Sequence, residues 1–205
     1  MNNIGSTGIL HLCEMKRIAI FASGTGSNAK KILAHFQSSN KVQVVLIVSN
    51  KPMAGVLNFA NEYSVPTLLL EKERFVNGDG YVSELQSAGI DWIILAGFLW
   101  KIPPILVKHW EKRIINIHPA LLPNYGGKGM YGEAVHQAVI TANEKESGIT
   151  IHYVDEQYDH GTTIFQATCP VLPADTPASL ANRIHTLEHL HYPVVIEKEI
   201  LSQVD

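Results

Sequence analysis

Short runs of apolar, often β-branched residues alternate with helically spaced stretches along the first 120 residues, and this alternation restricts the fold more than any other feature. Residues 17–22, 42–48, 65–70, 91–96 and 114–118 read as strands, and the nearly continuous apolar ones are of the kind buried on both faces of a sheet. Between them, Ala29, Ile32, Leu33 and Phe36 fall at helical spacing, and residues 58–63 and 80–86 read as further helices. Strands and helices in turn predict an α/β fold: a mostly parallel, doubly wound sheet with helices on both faces. The pattern then changes. Residues 148–154 and 163–169 alternate as two strands with a short linker between them, which predicts late antiparallel strands. Asp175-Thr176-Pro177 reads as a helix cap, with Leu180, Ile184, Leu187 and Leu190 following; His191-Tyr192-Pro193 is expected to break that helix before a last one over residues 194–201.

The 205 residues suit one domain, here residues 15–205, large enough to bury roughly 70% of its unfolded surface. Residues 1–14 have neither the basic start nor the long apolar run of a signal peptide and read as a loose N-terminal extension. A net charge of -3 gives no electrostatic reason to expect nucleic acid or an anionic membrane as partner, and no apolar run reaches the roughly 20 residues that span a bilayer. Cys13 and Cys169 are the only cysteines, too few for a disulfide framework, so a reducing, cytoplasmic setting is expected.

Three stretches carry chemistry. The first strand runs into Gly24-Thr-Gly26-Ser27-Asn28 and a helix, where close backbone approach and free helix N–H groups make an anion pocket suited to phosphate. Gly24-x-Gly26-x-x-Ala29 also matches the dinucleotide fingerprint, but that fingerprint expects an acid after the second strand, and here Ser49-Asn50-Lys51 follows. In residues 114–118 alternation puts Asn116 and His118 on one face, and Pro119 ends the ladder. A carboxamide donor beside an imidazole can stabilise a developing oxyanion and move a proton near neutral pH; the plain alternative is a pair of turn hydrogen bonds. The glycine-rich residues 124–132, which include Lys128, are expected to move, as a connector or a lid. His136 is expected on the surface of the next helix. Finally, His185-x-x-Glu188-His189 spells an inverted-zincin zinc arrangement. A third ligand is wanting, since Glu197 and Glu199 are the only later acids before Asp205, so no metal is expected and the two histidines read as surface or packing groups.

The wording Asn116-Ile-His118-Pro-Ala-Leu-Leu-Pro123 resembles the signature of the folate-dependent formyltransferases. Leu-Leu-Pro-x-Tyr followed by Lys128-Gly129-Met130-Tyr131-Gly132 is most similar to the branch that acts on glycinamide ribonucleotide, and the likeness continues from about Lys16 to the C-terminus. The resemblance implies a Rossmann-like formyltransferase fold and transfer of a formyl group from the cosubstrate 10-formyltetrahydrofolate to the amine of that ribonucleotide, a step of purine synthesis. It implies no metal and no covalent enzyme intermediate. By the same resemblance, Gly26, Ser27 and Asn28 hold the substrate phosphate and Glu188 helps to bind the ribonucleotide. Ala96-Gly97-Phe98 is similar to the pterin wall, which assigns Leu99, Trp100, Lys101, Ile102, Asn116, Asp155 and Glu156 to the folate; Trp100 stands where some relatives have Arg. Periodicity does not say which linker acid matters. Matching His152-Tyr153-Val154 and Gly161 to the family selects Asp159 rather than Asp155 as the essential carboxylate beside Asn116 and His118, favouring a charged imidazole. His160 then replaces a common Gly, a strained choice if that position needs a positive φ. Relatives acting on initiator tRNA carry a further C-terminal domain and the formyltetrahydrofolate hydrolases an N-terminal one, and neither fits this length. The partners implied are the two small-molecule substrates, with monomer and homodimer both open.

Overall fold

β1 (Lys16–Phe21) is apolar on both sides, with Ile18 and Ile20 facing one way, Ala19 and Phe21 the other, and none of the four exposed, so a helix layer has to cover each face. A computed structural model, describing residues 15–203, shows this; the expected extension over residues 1–14 lies outside the described residues. β1 pairs in parallel with β2 (Val42–Ser49) on one side and β4 (Trp92–Leu95) on the other. β3 (Thr67–Leu69), β5 (Ile114–His118), β6 (Glu146–Tyr153) and β7 (Thr163–Pro170) complete a seven-stranded sheet in the order β3-β2-β1-β4-β5-β6-β7. Strands β1 to β5 are parallel, whereas β5–β6 and β6–β7 are antiparallel, the late change of direction that the alternating segments predict.

The chain winds outward from β1 to β3 and then returns to β4 on the opposite side of β1. A crevice therefore opens beyond the carboxyl ends of β1 and β4, the place where open α/β sheets bind ligands. One face is covered by α1 (Ser27–Phe36), α2 (Val56–Glu62), α6 (Glu133–Thr141) and α7 (Pro177–Ser202), which pack on Ile18, Ile20, Trp92, Ile94, Ile115 and Ile117. The other is covered by α3 (Lys72–Asn77), α4 (Val82–Ser87) and α5 (Pro104–His109), over Ala19, Phe21, Ile93, Leu95 and Ile114. α3 and α5 lie outside the sequence expectations. Each has six residues, less than two turns, too few for an apolar period to repeat.

α7 corrects an expectation, because it runs unbroken through Pro193. Proline inside a helix costs about 3 kcal/mol through the lost N–H and its clash. Against that, Leu180, Ile184, Glu188, Tyr192, Ile196 and Ile200 recur every fourth residue, and all are buried. Burying Ile196 and Ile200 contributes roughly 1.5–3 kcal/mol each. The Tyr192 hydroxyl also donates to the carbonyls of Leu95 at 2.8 Å and Ile115 at 3.1 Å, tying the proline turn to β4 and β5. Tertiary packing on both sides of Pro193 outweighs the local defect.

Candidate active site

The crevice is a cavity of about 660 Å³, within the usual range of small-molecule sites, roughly 300–1,000 Å³. At one end is the turn between β1 and α1. Gly26 has φ +80°, and a Cβ there would lie 2.8 Å from Val56, so the turn needs a glycine. Gly26, Ser27 and Asn28 all line the cavity at the helix N-terminus, with Lys51 on the wall where a dinucleotide site would want an acid. Asn28 Nδ2 donates to Glu188 Oε2 at 2.9 Å, which brings the α7 carboxylate to the same end. Burial pushes the Glu188 carboxyl above its ordinary pKa, and the Asn28 hydrogen bond and the His185 charge oppose this.

The other end is apolar. Phe98 meets Phe21 and Phe75 edge-on with ring centroids 5.4 and 5.7 Å apart, and Trp100 lies 5.8 Å from Phe75. Trp100, in place of the Arg of some relatives, thus extends an aromatic wall. Leu99, Trp100, Lys101 and Ile102 all line the cavity, but the Leu99 amide already donates to Ser23 Oγ at 2.9 Å and is not free for a ligand. Asp155 lines the cavity too, with its Oδ1 accepting from the Gln157 amide at 2.8 Å. That turn leaves Glu156 exposed and off the wall, where Gln157 and Tyr158 stand instead.

Asn116, His118 and Asp159 line the same cavity. His118 Nδ1 is 3.6 Å from Asp159 Oδ2, with side chains only 4% and 12% exposed. His118 Nε2 sits 2.8 Å from the Tyr125 carbonyl. A carbonyl only accepts, so Nε2 carries the proton of the neutral ring and Nδ1, facing Asp159, is the atom that takes up or releases one. The positive φ in this linker belongs to Asp159 itself, at +57°, and His160 is not among the positive-φ residues, so the strain anticipated at His160 falls one residue earlier.

His152 takes part without having been singled out by the sequence. The β5–β6 register sets it directly opposite Asn116. Its Nδ1 donates to the Tyr153 carbonyl at 2.8 Å, so Nε2 is a lone-pair acceptor, and Asn116 Nδ2 donates to it at 3.1 Å. Asn116 is thereby held with its second N–H left for the cavity. Burial lowers the His152 pKa and keeps it neutral, with His118 adding to the effect and the Tyr153 and Asp159 contacts opposing it. A sequence signal existed in Thr150 and His152, polar residues in phase on one face and alternating with Ile149 and Ile151.

The glycine-rich loop is more than a connector. Besides the Tyr125 carbonyl on His118, the Gly127 amide donates to Asp159 Oδ2 at 2.9 Å, and Lys128 lines the cavity. A Cβ at Gly126 would meet Leu122 at 2.5 Å and Asp159 Cβ at 3.2 Å, so glycine lets this strap lie close over the carboxylate. His136 departs from its expected surface position. It is 3% exposed and lines the cavity, and burial, helped by the charges of His185 and His118, lowers its pKa to about 4.

The histidines of the zinc-like motif stack with centroids 6.2 Å apart, and the acids that a metal would need are engaged elsewhere. Glu188 holds Asn28, Glu197 pairs with His35 at 2.8 Å, and Glu199 accepts from Tyr153. Among the described residues no group of three or more His, Cys, Asp or Glu is placed to hold a metal ion. Nor is any described helix long and apolar enough to cross a membrane.

Comparison with known proteins agrees with this geometry. A family model described as formyl transferase matches residues 16–196. The chain is 41% identical over 195 residues to the chloroplastic phosphoribosylglycinamide formyltransferase of Arabidopsis thaliana, covering 92% of this chain and 67% of that protein. It is 35% identical over 189 residues to the phosphoribosylglycinamide formyltransferase of Bacillus subtilis (strain 168), covering 90% and 94%. Among solved structures, the phosphoribosylglycinamide formyltransferase of Bacillus halodurans superposes with a TM-score of 0.83 at 35% identity, covering 93% of this chain and 97% of that one.

Proposed function

The chain belongs to the formyl transferase family, and on that premise we propose that it transfers a formyl group from 10-formyltetrahydrofolate to the amine of glycinamide ribonucleotide, giving formylglycinamide ribonucleotide and tetrahydrofolate in purine synthesis. The observation that carries the proposal is that Asn116, His118 and Asp159 line one cavity together with a turn at Gly26 suited to an anion and an aromatic wall at Phe98 and Trp100. A phosphate at the turn and a pterin against the wall bring an amine and a formyl carbon into the one cavity that these three residues line. No metal is needed, and the two cysteines support a reducing, cytoplasmic setting.

The amine attacks the formyl carbon of the folate, negative charge collects on the formyl oxygen, and its return breaks the bond to the folate nitrogen. The residues of the chain then have separate tasks. Asn116, held by His152, directs its second N–H at the formyl oxygen, where charge collects; one such donor contributes roughly 3–4 kcal/mol. His118 adds a second donor when Nδ1 carries a proton, and the Asp159 carboxylate lies 3.6 Å from that nitrogen. The proton leaving the amine passes by Asp159, by His118 Nδ1 or by a water to the departing folate nitrogen. Phe98 and Trp100 keep the folate end apolar, and the Tyr125–Gly127 strap covers the reacting groups.

The test is to mix the protein with 10-formyltetrahydrofolate and follow folate release with and without glycinamide ribonucleotide. Release should depend on the ribonucleotide. Equal release in its absence would mean a formyltetrahydrofolate hydrolase instead.

A further inference from the structure

We propose that a second, smaller cavity beside Asp159 is the exit by which the proton of the substrate ammonium reaches solvent, with His160 at its rim as the group that carries it out. The proposal rests on the transferase reading and deepens it by following a proton that the group transfer leaves over. This cavity measures about 190 Å³, room for several waters. Gly127, Tyr158 and Asp159 line it and the main cavity alike, so the carboxylate belongs to the wall that the two share. Pro123, His160 and Thr163, which also line it, are exposed, so the smaller cavity is open to solvent. Among the described residues lining it, only Tyr158, Asp159 and His160 titrate.

The reaction needs such an exit. The reacting group is an α-amine, whose ordinary pKa is roughly 7.7–8.0, so at neutral pH most of the substrate arrives as an ammonium without a lone pair. One N–H bond must break before the nitrogen attacks, and that proton is additional to the one later passed to the folate nitrogen. Formyl transfer consumes no proton, so the first has to leave the protein. Bound folate and ribonucleotide fill the main cavity, which leaves the wall at Asp159 as the way out. The oxygens of Asp159 are placed for this. Oδ2 accepts from the Gly127 amide at 2.9 Å and lies 3.6 Å from His118 Nδ1. Oδ1 is 3.7 Å from His152 Nε2, the lone-pair nitrogen of a neutral ring, so a proton taken up on the carboxylate meets an acceptor there rather than a positive charge. From Asp159 the proton passes through water held in the smaller cavity to His160, whose exposed imidazole releases it to solvent and is ready for the next.

Steady-state turnover of wild type, His160→Gln and Thr163→Trp from about pH 6.5 to about pH 9, with and without added imidazole, tests the proposal. At about pH 6.5 His160→Gln should lower kcat roughly tenfold, less than the roughly 10²–10⁴-fold of a group that contacts the reacting atoms, with the KM of both substrates unchanged. At about pH 9 the amine arrives neutral and the variant should match wild type, which also shows that it is folded. Added imidazole should restore the His160→Gln rate at about pH 6.5 by taking the proton from the open cavity. Thr163→Trp, which fills the mouth, should show the same pH-dependent loss without rescue. Losses equal at both pH values, a variant of either kind that loses nothing, or rescue as full in Thr163→Trp as in His160→Gln overturns the proposal. Should Thr163→Trp not fold, the pH profile and rescue of His160→Gln decide alone. Wild type that releases folate without regard to the ribonucleotide ends the transferase reading and this proposal with it, whereas ribonucleotide-dependent release with both variants as fast as wild type at every pH ends the proposal alone.

Discussion

Asn116 and His152 face each other across the antiparallel pair β5–β6, with Asn116 Nδ2 donating to His152 Nε2 at 3.1 Å. The proposed oxyanion donor is therefore aimed by a neutral imidazole, itself fixed by the Tyr153 carbonyl.

Replacing His152 with Leu removes the acceptor while keeping an apolar side chain of similar bulk. We expect kcat to fall roughly ten- to hundredfold, with the KM for the ribonucleotide little changed, because a misdirected donor loses stabilisation of the transition state rather than binding. Adding Asn116→Ala to that variant should cost little more, since the two act as a unit. Multiplicative losses in steady-state rates would show that His152 serves something other than Asn116.

Asp159 and Asp155 separate by the same logic. Asp159→Asn removes the charge 3.6 Å from His118 Nδ1, so turnover should fall much more than substrate affinity, and Asp159→Asn with His118→Ala should be scarcely worse than the poorer single variant. Asp155→Asn, whose Oδ1 holds a turn, should keep near-normal kcat and alter mainly the KM for formyl folate. A dead Asp155→Asn enzyme beside a nearly normal Asp159→Asn enzyme reverses the assignment.

His136 makes stability depend on acid. Its ring binds a proton near pH 6.5 when unfolded and only near about 4 in the folded protein, so between those values the unfolded state holds more protons. Stability from this group is complete above pH 6.5 and is lost as pH falls toward 4, by up to about 3 kcal/mol. The same fall favours the folded state at Glu188, whose carboxyl pKa is raised, so a difference between proteins is the cleaner measure. Urea unfolding of wild type and His136→Phe from pH 7 to 4 should give a flatter curve for the variant. Parallel curves would mean that His136 is not the group titrating.

Gly26→Ala tests the anion turn. With φ +80° and Val56 only 2.8 Å from the new Cβ, the substitution should destabilise the protein by roughly 1–3 kcal/mol and raise the KM for the ribonucleotide. Unchanged melting together with unchanged KM would place the phosphate elsewhere.

What the sequence determined by itself was local. Apolar periodicity placed β1, β2, β4, β5 and α1, and the phase of Ile114–His118 put Asn116 and His118 on one face, because both signals depend on residues a few positions apart. Glycine at Gly26 marked a turn for a similar reason: positive φ is a property of one residue. Helices α3 and α5 escaped because six residues hold no repeat. Periodicity left open which acid meets His118, and only the wording shared with the family pointed to Asp159; the tertiary structure alone decided that His152 lies opposite Asn116, that His136 is buried and that α7 continues through Pro193. A side chain's phase says which way it leaves its own element. What it meets there is set by strand register and by helices packed on the sheet, and those contacts join segments far apart in the chain.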